Sequence, residues 1–140
     1  MCARPRAHQQ SRAGDQGGEG HTVPAPYRDV GQPVLVPGDM GRYSYIAVGL
    51  PAALHETWGS ACHGAGRVQS RQAAKRQLQG VDVWRRLAAQ GIVVRCQNRA
   101  ALAEEASEAY KDVADVVDVL EHAGIARAVA RLRPLGVVKG

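Results

Sequence analysis

Phenylalanine is absent from these 140 residues, and the aromatic complement is four tyrosines and two tryptophans. A core must therefore rest on Val, Leu, Ala and Ile, in a composition that is 45% hydrophobic and 22% charged, as in a globular domain. Cysteine is nearly as scarce. Cys2, Cys62 and Cys96 form no CxxC pair and leave an odd count, which argues against a secreted disulfide framework and for a reducing compartment. The N-terminus carries arginines but no apolar h-region, so no secretory signal is expected. The longest nearly apolar run, YIAVGLPAAL, is too short to cross a bilayer and contains a proline. The expectation is one soluble, cytoplasmic domain. An acidic excess is also missing: the net charge of +5 favours anionic partners such as nucleotides, nucleic acid or acidic surfaces.

What is present is organised after a loose start. Residues 1–33 are rich in Gly, Pro, Gln and Arg without helical or strand periodicity, and are expected to be ordered only where something else holds them. Val34 to Val36 read as a short strand ended by Pro37-Gly38, and YSYIAVG as a second strand. PAALHETWG predicts a short helix with Pro51 in its first turn and Gly59 at its end. A helix is expected from the stretch SACHGAGRVQSR through about Gln79, another over VDVWRRLAAQ, and a buried strand over GIVVRC. RAALAEEA and ADVVDVLEHAG read as helices, the latter with Val116, Val119 and Leu120 inward and Gly124 as its C-cap. IARAVARL is expected as a last helix before the tail RPLGVVKG. No internal repeat is visible, and the fold class is α+β.

The stretch Ser60 to Arg71 asks for a function. One histidine, His63, stands among small residues and is followed by Arg67 and Arg71. His63-Gly64-Ala65-Gly66 is read as the point where a loop becomes a helix, and glycines there let backbone N–H groups approach a phosphate closely. Arg67, Arg71 and Lys75 follow at helical spacing, where like charges repel unless an anion sits on that face. A solvated basic face and a turn histidine that caps the helix are the plain alternatives. Standard motifs do not decide between them. GAGRVQ has Gln69 where GxGxxG needs its third glycine, and no GxxxxGK[ST] occurs. Cys62 and His63 are adjacent, which suits neither a zinc site nor a nucleophile–base pair. Neutral imidazole can itself attack phosphorus, with a backbone cradle and cations absorbing the charge.

The segments PVLVPGDMGRYSYIAVG, GSACHGAGRVQSR and EAYKDVADVVDVLEHAGIARAVARLRPLGVVKG, taken in order, resemble the C-terminal part of an RtcB-type RNA-splicing ligase. The resemblance runs from about Tyr27 to Gly140 and implies a C-terminal lobe of that fold over 27–140. It implies joining of an RNA end with a 3′-phosphate or 2′,3′-cyclic phosphate to a 5′-hydroxyl end. GTP guanylylates the histidine matching His63, GMP moves to the RNA 3′-phosphate, and the 5′-hydroxyl displaces it. Carried over by position, Pro37, Gly38, Asp39 and Met40 match a nucleotide-contacting turn and Ser44 a further contact. His63, Gly64, Ala65 and Gly66 match the nucleophile turn. Tyr110 is expected near the guanine. Lys139 is expected to donate to its O6 from a tail pegged down by Leu135, Val137 and Val138. Arg67 and Arg71 are expected to contact RNA phosphates, Arg offering a bidentate fork. Asp39 as a turn cap, Tyr110 as packing and Lys139 as a frayed end are the plain alternatives.

The family pattern also breaks here. The implied manganese is held in the family by an aspartate, a cysteine and several histidines that lie upstream of the matched part. Residues 1–26 carry only His8 and His21 in place of a metal-binding His-Arg-Lys-Gly-Ala element. They are expected to be an irregular segment of unrelated origin. The expectation is a piece of a GTP- and manganese-dependent ligase that is inactive alone, with RNA, GTP and an upstream ligase segment or activating protein as partners. A non-catalytic RNA- or nucleotide-binding module is the alternative.

Overall fold

The order of elements follows from where short apolar runs meet turn residues. The computed structural model of the chain describes residues 25–27, 29–31 and 33–139. The expectations for residues 1–26 fall outside these, apart from a 3-10 turn that opens at Ala25. Strands β1 (Pro33–Val36) and β2 (Ser44–Gly49) pair antiparallel, Val36 opposite Tyr45. Helix α1 (Ala52–Thr57) follows, ending at Trp58 and Gly59, both with positive φ. Helices α2 (Arg71–Gln77) and α3 (Val83–Ala89) precede β3 (Val93–Cys96), which leads to α4 (Arg99–Glu104). A 3-10 turn, Ser107–Ala109, leads to α5 (Val113–His122), β4 (Ala126–Leu132) and β5 (Gly136–Lys139).

Two small cores result. In the first, the antiparallel sheet β1-β2-β4 carries α5 on one face. Val36, Ala47, Ala65, Val113, Val117 and Ala126 are buried together there. In the second, β3 and β5 pair parallel, Cys96 opposite Lys139. Val94 and Val137 of these strands pack on Leu78, Val83, Leu87, Ile92 and Leu102. Met40, from the β1–β2 connection, is buried in this second cluster and ties it to the first sheet. The chain is thus α+β, with short strands and several amphipathic helices.

Four local expectations are corrected. The helix expected from Ser60 starts only at Arg71. Ser70 caps it by accepting from the Ala73 N–H at 3.1 Å, and Gly64 and Gly66 hold φ of 155° and 74°, which no helix continues through. IARAVARL forms β4, not a helix. Ala126, Ala128 and Ala130 alternate with exposed Arg127, Val129 and Arg131, and six rungs to β2 outweigh the helical propensity of alanine and arginine. β3 is covered on one face only, leaving Val93 and Arg95 exposed. In α5 the inward residues are Val113 and Val117 with Leu120 beside them, whereas Val119 is exposed; the sheet lies one position round the helix from the expected stripe.

Candidate functional site

The seam between the two cores forms a cleft of about 200 Å³ lined by Pro37, Gly38, Asp39, Met40, Ser44, Glu105, Tyr110 and Lys139. Seven of these eight are residues for which the sequence suggested nucleotide contact; Glu105 is new. They come from the β1–β2 connection, the α4–α5 connection and the end of β5, separated by up to about a hundred residues of chain. Lys139 reaches the cleft because β5 pairs with β3, not because a frayed tail is pegged by apolar residues. Leu135 and Val138 are exposed, and of the three expected pegs only Val137 packs.

The turn from Pro37 is shaped by tight approaches. A Cβ on Gly38 would lie 1.9 Å from the Tyr43 carbonyl oxygen, so only glycine fits. The Gly38 N–H donates to Ser44 Oγ at 3.2 Å, leaving the Ser44 hydroxyl hydrogen to donate elsewhere. Asp39 closes the turn. Its side chain is fully buried and accepts from the Gly41 and Arg42 N–H groups at 3.0 Å and from Arg42 Nε at 2.6 Å, and from Ser107 Oγ. Burial alone would raise the Asp39 pKa, but the bonds from Ser107, Gly41 and Arg42, with the Arg42 charge, hold it below the usual range. Asp39 is therefore a turn cap that lines the cleft. Met40 contributes from the core side, being almost wholly buried.

Arg42, which no sequence motif marks, joins the two walls. Besides Asp39 it meets Asp112 Oδ2 at 3.3 Å, and its Nη2 donates to the carbonyls of Ser107 at 3.1 Å, Tyr110 at 3.1 Å and Lys111 at 2.9 Å. No α-helical N–H takes the Tyr110 and Lys111 carbonyls here, whereas the Ser107 carbonyl also accepts from the Tyr110 N–H at 3.1 Å across the 3-10 turn.

The His63 loop is stitched to both walls. The Ala65 N–H donates to Pro37 O at 2.9 Å, and a Cβ on Gly64 would meet that same oxygen at 2.6 Å. On the other side the Lys111 N–H donates to Gly66 O at 3.0 Å and the Val68 N–H to Ala109 O at 2.9 Å, with Arg67 bridged to Tyr110. Ala65 is buried in the sheet core, which explains the small residues. His63 itself is exposed, outside the cleft lining.

The cations thought to await phosphate have carboxylate partners. Arg67 donates to Gln69 O at 3.0 Å, Tyr110 Oη at 2.9 Å, Glu105 Oε1 at 3.3 Å and Glu104 O at 2.5 Å, and stacks 4.8 Å from the Tyr110 centroid. Arg71 lies 3.4 Å from Glu105 and 3.7 Å from Glu104; Lys75 pairs with Glu104; Lys139 is 3.7 Å from Glu105. Glu105 also accepts from the Tyr110 hydroxyl. Burial would raise the Glu105 pKa, but the Tyr110 bond and the charges of Lys139 and Arg67 carry it below the usual range. Tyr110 is pushed up by burial and by Glu105, so its phenol stays protonated. Glu104 and Glu105 were legible only as two acids ending a helix, since their partners lie tens of residues away.

A pH dependence follows from Asp39 and Glu105. Both have lowered pKa values when folded, so their stabilisation is fully present above the unfolded carboxylate range and is lost as pH falls through the folded values. The urea midpoint should be flat from about pH 7 to about pH 5 and drop below about pH 4. Asp39→Asn should make that drop shallower; an unchanged acid limb in this variant would remove Asp39 from the account.

The family model described as tRNA-splicing ligase RtcB matches residues 12–140. The tRNA-splicing ligase RtcB of Archaeoglobus fulgidus is 63% identical over 118 residues, covering 84% of this chain and 24% of that protein. Its namesake in Methanopyrus kandleri is 56% identical over 120 residues, covering 86% and 12%. That of Pyrococcus horikoshii is 57% identical over 122 residues, covering 86% and 14%. The chain spans about a quarter or less of the length of these curated relatives. With nearly all of its residues inside one family model and identities above half across most of its length, the chain belongs to the RtcB family of tRNA-splicing ligases.

Proposed function

We propose that the chain carries the nucleotide-holding lobe of a GTP-dependent RNA ligase. That ligase joins a 3′-phosphate or 2′,3′-cyclic phosphate end to a 5′-hydroxyl end through a guanylate on His63. The observation that carries this reading is the convergence of Pro37, Gly38, Ser44, Tyr110 and Lys139 on one cleft, with the His63 loop bonded to Pro37 at its edge. The cleft has the size of a base, not of a whole nucleotide. Lys139 would donate to a guanine O6, and Ser44 has a free hydroxyl hydrogen. Tyr110 is held protonated with its hydroxyl donating to Glu105, so its ring would flank the base. The ribose and phosphates would extend toward Gly64 and Gly66, where no side chain keeps the backbone from approaching them.

His63 is exposed, and no partner holds its ring among the described residues. Its neutral nitrogen would attack the α-phosphorus; the N–P bond forms as the P–O bond to pyrophosphate breaks, and pyrophosphate leaves with its electron pair. Of the two arginines, Arg71 is the phosphate contact, being largely exposed, whereas Arg67 is committed to four internal oxygens and serves to position Tyr110. Manganese does not fit the described residues, which bring together no three His, Cys, Asp or Glu side chains as a site. Residues beyond those described would hold the metal.

The test is incubation with α-phosphate-labelled GTP and manganese, with the upstream part of a relative supplied in trans. An acid-labile, alkali-stable label at His63, located by mass spectrometry and absent from His63→Ala, is the expected result. Label found at a lysine, or none after reconstitution, would end the proposal.

A further inference from the structure

A second hollow, of about 300 Å³, lies away from this cleft and is lined by Gly80, Val81, Asp82, Val83, Trp84 and Arg99. Trp84 is rigidly placed, because its ring packs against the core of Leu87 and Leu102 and Asp82 caps its helix through the Arg85 N–H at 3.0 Å. The guanidinium of Arg99 lies over the ring, 4.9 Å from its centroid. The stretch of chain that carries the hollow is basic in sequence. From Arg67 to Arg99 seven arginines and one lysine stand against one acid, Asp82, more positive than the +5 of the whole chain. Five of those cations have carboxylate partners, whereas Arg76, Arg95 and Arg99 have none among the described residues.

We propose that this hollow is a second RNA contact, in which an unpaired base stacks on Trp84 while Arg99 turns from the ring to a flanking phosphate. The proposal rests on the RNA-ligase reading above and adds to it a place for RNA remote from the reacting ends. Three physical features favour it. An indole face accepts any base, and stacking is the main sequence-tolerant term in single-strand binding. An exposed cation–π contact is weak enough to be exchanged for a base and a phosphate. Arg99, which has no carboxylate partner among the described residues, is free to meet a phosphate, and release of counterions makes such binding salt-dependent. A base locked in a duplex has no free face to offer, so the site selects single strands.

The experiment uses the 140-residue chain with Trp58→Phe, which leaves Trp84 as the one indole. Titration with a short single-stranded oligouridylate should quench its emission, and a blunt duplex of equal length should not. Arg99→Glu, which leaves the core contacts of Trp84 in place, should weaken binding by about tenfold or more. Emission unchanged by single-stranded RNA, equal quenching by duplex, or an Arg99→Glu titration like the parent's would each overturn the site. Failure here with His63 still taking guanylate removes this contact and leaves the ligase reading standing. Quenching without guanylylation does the reverse.

Discussion

Arg42→Ala should cost about 3 kcal/mol or more, seen as a large fall in urea midpoint with little change in slope. One guanidinium spans the turn after β1 and the entry to α5, meeting Asp39, Asp112 and three backbone carbonyls. Removing it leaves the carbonyls of Tyr110 and Lys111 to find water and the Ser107 carbonyl with the Tyr110 N–H alone. It also deprives the fully buried Asp39 carboxylate of its charged partner. A small domain has only about 5–15 kcal/mol in total, so part of the chain should be unfolded without denaturant. Arg42→Lys should recover little, because an ammonium cannot reach both walls at once. A midpoint within error of the parent's would show that the fork is incidental.

Gly38→Ala should be as damaging, by a different route. The added methyl would sit 1.9 Å from the Tyr43 carbonyl oxygen and 2.9 Å from Val113 Cγ1. One of these is backbone of β2's approach and the other is a side chain buried in the core, so neither yields without moving the sheet against α5. Overpacking of this kind costs about 1–3 kcal/mol when side chains can shift, and more is expected where backbone must. The bond from the Gly38 N–H to Ser44 would go with it, opening the cleft wall. Gly66→Ala is the internal control. Its Cβ meets nothing within 4 Å and only the φ of 74° is strained, so about 1–2 kcal/mol is expected. Equal losses at the two glycines would refute the steric argument for Gly38.

Both predictions concern residues whose importance is spatial, and they mark where reading the chain in one dimension stops. β1, β2, α1, α3, α4 and α5 were legible because each is a short run of locally consistent residues, and glycine or proline marks an end of β1, β2, α1, α3 and α5; Asp82 and Asp112 cap α3 and α5 in the structure. β4 was not. Its alternation of alanine with arginine or valine was visible, but alanine and arginine favour helices in isolation, and only the ladder to β2 reverses that preference. The stretch after His63 was read as helix for the same local reason. The helix starts only at Arg71, capped by Ser70, and the residues before it are held instead by Arg67 bridging to Tyr110, a contact made across more than forty positions.

The residues of the cleft were named by pattern, while their roles were sorted by packing. Asp39 and Met40 line it but are largely spent on the turn and the core. Ser44 and Lys139 line it with hydrogens to donate, whereas Tyr110 gives its hydroxyl hydrogen to Glu105. Arg67 and Arg71 looked equivalent as basic residues four apart. The structure separates them, because Arg67 is held inside by Gln69, Glu104 and Tyr110 and Arg71 is left outside.

Family membership and the candidate nucleophile could be read from linear order alone, since HGAGR and the closing Lys-Gly are contiguous strings whose chemistry is stated by residue type. The cleft, the Arg42 bridge, the capture of the basic residues by Glu104 and Glu105, and the Trp84 hollow could not. Each depends on groups tens of residues apart being brought within a few ångströms, and a hydrogen bond or an ion pair has an energy only at that distance. Local composition sets which contacts a side chain is able to make; chain topology decides which of them it does make.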